Sequence, residues 1–291
     1  MSRKKNILVT GANGQLGMEF RTISMLYPGY EFLFTTKEDL SIIDTANVES
    51  FFSTNDIAYC INCAAYTAVD KAEAEKEIAF ENNGTAVGNL AAVCKKVGSR
   101  FIHISTDYVF NGNATEPYKE TDETDPVNIY GASKLQGEKE ALKNNMDTII
   151  IRTSWVYSSF GKNFVKTMLR LMSEKESISV VSDQVGCPTY ANDLAEAIMK
   201  IISENEKPMG GIYNYSNRGV ISWYEFALAI KEISESSCTV NPVSSSQYPT
   251  PAKRPNYSVL DTTKIQQVFN IEIPFWKDSL EKCIALLDAG V

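Results

Sequence analysis

Tyr130 and Lys134 stand four positions apart in NIYGASKLQGEKEAL, residues 128–142, so on a helix the phenol and the ammonium lie one turn apart and face the same way. A cationic neighbour favours phenolate over phenol and brings a tyrosine pKa down toward the range in which it exchanges protons. The chain holds a single histidine, His103. Proton transfer near neutral pH therefore falls to another side chain, and Tyr130 is the candidate acid. The spacing is common on polar helices and means little alone. Upstream, however, FIHISTDYVF reads as a strand ending in Ser105, Thr106 and Asp107, and parallel α/β sheets collect ligand groups at the carboxyl ends of their strands. His103, in the alternating part of that strand, reads as a core histidine rather than a base.

What such an acid would serve is suggested by the start of the chain. NILVTGANGQLGMEF passes from an apolar run into an amphipathic one, with Gly11, Gly14 and Gly17 at three-residue intervals. Glycine allows positive φ and close approach of backbone amides to a pyrophosphate, and the following helix start adds free N–H groups and a favourable dipole. The spacing is G-x-x-G-x-x-G rather than G-x-G-x-x-G, but its place directly after a strand favours dinucleotide binding over a packing turn. About 20 residues on, where an acid receives the adenosine ribose in NAD sites, FTTKEDL offers Lys37 to a ribose phosphate and Glu38 and Asp39 to hydroxyls. NADPH and NADH both fit, with Lys37 tipping the choice toward NADPH. A Thr106 hydroxyl can hold a carbonyl oxygen beside the phenol, so that hydride reaches carbon while Tyr130 protonates oxygen.

These groups need a scaffold. Short apolar runs near 5–10, 30–35, 57–63, 100–105 and 148–152 alternate with helical patterns near 15–27, 45–54, 72–97, broken around Gly84, and 128–144. With right-handed crossovers this is an α/β fold, a Rossmann-type doubly wound parallel sheet. Past residue 153 the texture shifts to short strands and helices near 162–173, 191–204, 222–236, 262–269 and 275–288. The chain thus divides into a cofactor domain, 1–153, and a smaller α/β substrate domain, 154–291, with some segments returning to the sheet. With 291 residues, 44% hydrophobic, a sizeable core is expected. A formal charge of −8 argues against nucleic acid or anionic lipid as partner. No segment has the length of a membrane span, and Gly11 and Gly14 interrupt the first apolar run before signal-peptide length, so a cytoplasmic location is expected. Cys60 and Cys63 have C-x-x-C spacing, but on a strand they point to opposite faces. They read as core cysteines, with no second pair to complete a zinc site.

The glycine turn, Thr106, Tyr130 and Lys134 together resemble the extended short-chain dehydrogenase/reductase superfamily. AAYTAVDKAE, STDYVFNG, YGASKLQGE, RTSWVY, NFVKTMLRL, DQVGCPT and YPTPAKRP narrow the resemblance to the dTDP-4-dehydrorhamnose reductase family, over residues 4 to about 265. The resemblance implies NAD(P)H reduction of the C4 ketone of a dTDP-6-deoxy-4-ketohexose, dTDP-4-dehydro-L-rhamnose. It implies that Gly11, Gly14, Gln15, Leu16 and Gly17 hold the cofactor pyrophosphate, with Asp39 and Leu40 near the adenine and Ala64, Ala65 and Tyr66 bordering the cofactor. Tyr130 would be the acid, and Lys134 would bind the nicotinamide ribose. Thr67, Val69, Asp70, Thr106, Asp107 and Trp155 would approach the sugar. Arg254, whose guanidinium offers paired donors, is expected on the substrate pyrophosphate. Plainer roles compete: Asp70 and Glu73 have the spacing of a helix-capping pair, and Trp155 can simply pack between the halves.

The chain also departs from the family pattern. Ser41 stands where many relatives have an acid, which leaves the choice of cofactor open. Some relatives bridge a homodimer through metal bound by glutamates; Glu19 fits one such place but Asn192 stands at another, so no metal is predicted. Nucleotide-sugar dehydratases of this superfamily carry a second carboxylate after the Thr-Asp pair, where this chain has Tyr108. A non-catalytic regulatory subunit, like the animal partner of methionine adenosyltransferase with this fold, would not need the full Thr106, Tyr130 and Lys134 set.

Overall fold

The computed structural model describes residues 4–204 and 209–290. The first half runs β1 (Lys5–Thr10), α1 (Gln15–Ile23), β2 (Tyr30–Thr35), α2 (Thr45–Thr54), β3 (Ile57–Asn62), the short α3 (Val69–Ala72) and α4 (Lys76–Phe80), then α5 (Ala86–Val97), β4 (Arg100–Thr106), α6 (Ile129–Asn144) and β5 (Ile149–Thr153). Strand-to-strand alternation explains why these apolar runs form a doubly covered sheet: Ile7, Val9, Tyr59 and Ile61 enter a core on one face, while Leu8, Cys60 and Phe101 enter a core on the other. Cys60 is thus a core side chain, whereas Cys63, just past the strand, borders the cleft described below.

The second half runs β6 (Val156–Tyr157), α7 (Phe164–Glu174), β7 (Ser177–Val181), β8 (Val185–Gly186), β9 (Thr189–Tyr190), α8 (Ala191–Glu204), β10 (Gly211–Asn214), β11 (Ile221–Ser222), α9 (Trp223–Ile233), β12 (Thr239–Val243), α10 (Thr263–Phe269) and α11 (Trp276–Asp288). The main sheet has six strands in the order β10-β5-β4-β3-β1-β2, all parallel. Its outermost strand, β10, comes from the second half, and α8 contributes Leu194, Ile198 and Ile201 to the same core as Ile7 and Val9. A separate core gathers α7, α9 and α11 around Phe226, with the two-stranded pairs β7–β12, β6–β9 and β8–β11 beside it. Among the described residues no helix is long and apolar enough to cross a membrane.

The sequence pattern predicts one helix over 72–97 with a break at Gly84. Instead the interruption is a π-helical stretch over Glu81–Thr85 joining α4 to α5. Its buried Asn83 takes the Tyr66 N–H at 2.8 Å and donates to Tyr66 O at 3.0 Å and Ser133 Oγ at 3.0 Å. One side chain therefore ties the loop after β3 to α6, and the widened turn is where long-range hydrogen bonds outweigh regular helical pairing.

Candidate active site

The chain segments leaving β1, β3, β4 and β5 border a cleft of about 860 Å³. The glycine turn forms part of it. Gly11 has φ +64°, and a Cβ there would come within 2.7 Å of Ala64 N; at Gly17 it would meet Ala12 Cα at 2.6 Å. Only glycine lets this turn cross the end of β3 so closely. Gly14 begins α1 in an extended conformation with no side-chain cap, and no acid occupies the first turn. The first N–H groups and the positive end of the helix dipole remain available to an anion. Gly11, Gly14, Gln15, Leu16 and Gly17 all border the cleft.

At the end of β2, Lys37 and Leu40 also border the cleft, whereas Asp39 does not. The Asp39 carboxylate accepts from Thr36 N and Thr36 Oγ1, both at 2.9 Å, and these hydrogen bonds hold its pKa below the usual carboxylate range. It closes the turn that presents Lys37. Beyond β3, Ala64, Ala65, Thr67 and Val69 border the cleft, but Tyr66 points away, its hydroxyl on Glu75 at 2.6 Å. That hydrogen bond to a carboxylate pushes the Tyr66 phenol up to about 12.

The four residues with which the sequence reading began meet at the opposite wall. Asn128 caps α6 by accepting from Gly131 N at 2.8 Å. A Cβ at Gly131 would lie 2.1 Å from Tyr108 O, so the first turn of α6 presses directly on the backbone that follows β4. This contact brings Tyr130 near Thr106, whose hydroxyl acts to lower the phenol pKa and donates to Asp107 Oδ1 at 2.9 Å. The Tyr108 ring meets that of Tyr130 edge-on at 5.8 Å. Thr106, Asp107, Tyr130 and Lys134 all border the cleft.

The electrostatics differ from the expectation of a lowered phenol pKa. Burial, followed by the charge of Asp107, pushes Tyr130 up to about 12, against a smaller lowering by the Thr106 hydrogen bond. Burial also pushes Lys134 down to about 8, opposed by Glu138. The lysine Nζ donates to Ile104 O at 2.6 Å and stands 3.2 Å from His103 Nε2. Within the chain itself, then, the phenol is held protonated, and the ammonium is anchored to β4 one turn further along α6. Asp107, 3% exposed, is pushed up to about 7, chiefly by burial.

The second half supplies an aromatic wall. Trp155 takes φ +47°, a left-handed conformation that costs a non-glycine residue about 1–3 kcal/mol. Its indole stacks on Trp223 with centroids 3.6 Å apart and planes 10° from parallel, and both rings border the cleft. Trp223 was not among the expected site residues. Its signal was the S-x-x-E capping box of Ser222 and Glu225, which places a tryptophan at the first position of α9. Lys162, in the turn before α7, is another cleft residue missed in the sequence.

Arg254 and Asp70 do not border the cleft as expected; they bind each other. The guanidinium spans the carboxylate at 3.1 and 2.9 Å, and Asp70 Oδ1 also accepts from Ala252 N at 3.2 Å. Asp70 is therefore no capping partner of Glu73, which instead accepts from Ile129 N at 2.9 Å. With Asn128 Nδ2 on Lys253 O at 2.8 Å, these bonds strap the proline-rich segment to α3 and the start of α6. Glu19, buried in α1, accepts from Ser158 Oγ and, at 3.1 Å, from Asn192 Nδ2. Both its oxygens serve to join α1, the loop before α7, and α8.

A parallel doubly wound sheet with a glycine turn at β1, and with Thr106, Tyr130 and Lys134 gathered at the end of β4, defines an extended short-chain dehydrogenase/reductase. More narrowly, the chain belongs to the RmlD substrate binding domain family, whose model matches residues 5–289. It is 43% identical over 276 residues to the spore coat polysaccharide biosynthesis protein SpsK of Bacillus subtilis (strain 168), covering 95% of each chain. It is 40% identical to dTDP-4-dehydrorhamnose reductase of Aggregatibacter actinomycetemcomitans, covering 94% of this chain and 97% of that one. The dTDP-4-dehydrorhamnose reductase of Bacillus anthracis str. Ames, solved in complex with NADP, superposes with a TM-score of 0.93 at 38% identity, over 98% of this chain and 100% of that one.

Proposed function

We propose that this chain is a dTDP-4-dehydrorhamnose reductase, which uses NAD(P)H to reduce the C4 ketone of dTDP-4-dehydro-L-rhamnose to the alcohol of dTDP-L-rhamnose. The observation that carries this reading is the convergence of Thr106, Tyr130 and Lys134 on the cleft that also receives the uncapped start of α1. The glycine cradle, with no room for a Cβ at Gly11 or Gly17 and no acid in the first helical turn, fits a dinucleotide pyrophosphate. Gly11, Gly14, Gln15, Leu16 and Gly17 would hold it, Lys37 and Leu40 would lie toward the adenosine, and Ala64, Ala65 and Lys134 toward the nicotinamide ribose. Lys37 beside the cleft favours a ribose phosphate, hence NADPH.

The bound dinucleotide supplies the hydride that reaches C4. The protein supplies the proton. Thr106 Oγ1, on the same cleft as the Tyr130 phenol, would orient the ketone oxygen beside it. Because the phenol is held up to about 12, it is fully protonated at neutral pH and serves as an acid only when an alkoxide forms. As the C4–oxygen double bond becomes single, the phenolic O–H breaks, its proton passes to the sugar oxygen, and phenolate remains. The Lys134 ammonium, within one helical turn, stabilises that phenolate. Trp155 and Trp223 offer an apolar surface to the sugar or its base.

The division into a cofactor part, 1–153, and a sugar part, 154–291, with β10 returned to the sheet, suits this chemistry, and a soluble nucleotide-sugar substrate suits a cytoplasmic enzyme. The test is oxidation of NADPH and NADH, in parallel, by the purified protein given dTDP-4-dehydro-L-rhamnose, with the sugar product identified. Formation of dTDP-L-rhamnose is expected. Binding of both cofactors with oxidation of neither would overturn the reading.

A further inference from the structure

The sheet register sets Thr10 beside Asn62 and Asn62 beside His103, across the adjacent strands β1, β3 and β4. Their side chains form one continuous polar row through an otherwise apolar core. Thr10 Oγ1 lies 2.6 Å from Asn62 Oδ1, Asn62 Nδ2 lies 3.1 Å from His103 Nδ1, and His103 Nε2 lies 3.2 Å from Lys134 Nζ. All four are buried, Lys134 the most exposed at 2%. Polar groups this deep are costly unless paired, so each member holds its neighbours in place. The row ends beside the glycine turn, where Ala64 N reaches Thr10 Oγ1 at 3.4 Å.

Counting hydrogens along the row gives a constraint. A neutral imidazole has one N–H and one bare nitrogen. An ammonium at Nε2 requires that nitrogen to be bare; Nδ1 then carries the hydrogen, and the Asn62 carboxamide must turn its oxygen to the ring. As placed, the amide oxygen accepts from Thr10 Oγ1 and the amide nitrogen faces the ring; the two ends of a carboxamide are nearly isosteric, and the ammonium requires them exchanged, with Asn62 Nδ2 then donating to Thr10 Oγ1. With the amide nitrogen toward the ring instead, Nε2 carries the hydrogen and only a neutral lysine amine can accept it. The charge of Lys134, the tautomer of His103 and the orientation of Asn62 therefore change together.

We propose that His103, braced by Asn62 and Thr10, is a positioning residue that holds Lys134 in the active site as an ammonium, its tautomer locked to the charge of that lysine. The proposal rests on the reductase reading, in which that charge serves Tyr130. Burial keeps the imidazole well below its ordinary range, so the ring stays neutral and remains an acceptor. The ionisable groups acting on Lys134 are Glu138 from its own helix, Cys63 from the end of β3 and His103 from β4. On the other side of α6, the π-helical stretch and α5 face that helix with uncharged Asn83, Gly84 and Gly88.

Because His103 is the only histidine in the chain, long-range proton–nitrogen spectra of the untagged protein labelled with 15N-histidine report on this ring alone. Between pH 5 and pH 7 the ring should be a neutral Nδ1–H tautomer, and its nitrogens should shift as Lys134 titrates near 8. An Nε2–H tautomer at neutral pH, or a ring that gains a proton in the ordinary imidazole range, would overturn the proposal without any reference to turnover. In kinetics, His103→Phe should move the alkaline limb of kcat down by about one pH unit, since hydrogen bonds to charged groups have that magnitude. His103→Gln, which restores an acceptor, should bring the limb back to within a few tenths of a unit. An unmoved limb in a folded His103→Phe, with an active wild type, would also overturn it; should that variant fail to fold, the wild-type spectrum decides. Lack of turnover by the wild type would instead count against the reductase reading.

Discussion

Trp155 and Trp223, 68 positions apart in the chain, stack at 3.6 Å on the wall of the cleft, and the first of them holds a strained backbone to do so. Both rings border the cleft and offer it an apolar surface. Trp223→Ala should raise the KM for the nucleotide sugar about ten-fold while leaving cofactor affinity within about two-fold, as loss of an aromatic contact of roughly 1.5 kcal/mol does. Steady-state kinetics with each substrate varied in turn checks this, and equal losses for both substrates would remove the platform from the sugar site.

Tyr130→Phe removes the proton donor but keeps the ring against Tyr108. Turnover should fall by about 10²–10⁴-fold with cofactor binding retained. A stopped-flow measurement of cofactor oxidation separates the two; near-normal turnover would show that another group is the acid.

Asp107 gives a dependence of stability on pH whose sign is opposite to that of most carboxylates. Its folded pKa is raised from 3.8 to about 7, so between those values the folded chain holds a proton that the unfolded chain has lost. Its contribution to stability is therefore greatest in acid, declines as pH rises through that window, and above about 7 amounts to a penalty of up to roughly 4 kcal/mol. Asp107→Asn should raise the urea midpoint most at pH 8, less at pH 5, and little at pH 3. A gain confined to pH 5 would contradict the raised value.

Glu138 and Arg152 form a buried ion pair at 2.7 Å, each 2% exposed, and Ser105 Oγ donates to the same carboxylate. Glu138→Ala leaves a guanidinium uncompensated in the core, so a loss of about 3–5 kcal/mol is expected in urea unfolding. A loss under 1 kcal/mol would mean that Glu120 O and the Phe110 ring, Arg152's other neighbours, suffice to hold it.

Arg254 and Asp70 are partly exposed, and their pairing contributes within about 1 kcal/mol to folding. If the guanidinium exchanges Asp70 for the substrate pyrophosphate, Arg254→Ala should raise the sugar-nucleotide KM about ten-fold, and Asp70→Asn, which frees the guanidinium, should not. Equal effects of the two substitutions would identify the pair as a strap for the proline-rich segment and nothing more.

Much of this molecule was legible in local pattern. The apolar runs at 5–10 and 30–35 became β1 and β2 with those bounds, β1 buried over its last four residues and β2 half-buried at the sheet edge, because short apolar runs of this length pair as strands. The glycine turn and the Tyr130–Lys134 spacing were equally local: a positive φ at Gly11 and one turn of α6 require no knowledge of the rest of the chain. Other features came from contacts that no window of sequence contains. Residues 128–144 read as an ordinary polar helix, yet α6 buries Ser133, Lys134 and Glu138, since its polar face lies against the ends of the strands rather than in water. Arg254 reached Asp70 across 184 positions through the docking of the second half on the first, and Trp155 found Trp223 through the packing of the second half on itself. The row from Thr10 to His103 depended on cross-strand register, which sets side chains from distant strands at hydrogen-bonding distance. The sequence by itself determined the five strands of the first half, most of the longer helices and the residue types at the ends of β1 and β4, because short-range sterics and periodicity act within a few residues. Tertiary structure decided their electrostatics and partners, because burial and hydrogen bonding depend on which distant segment arrives alongside.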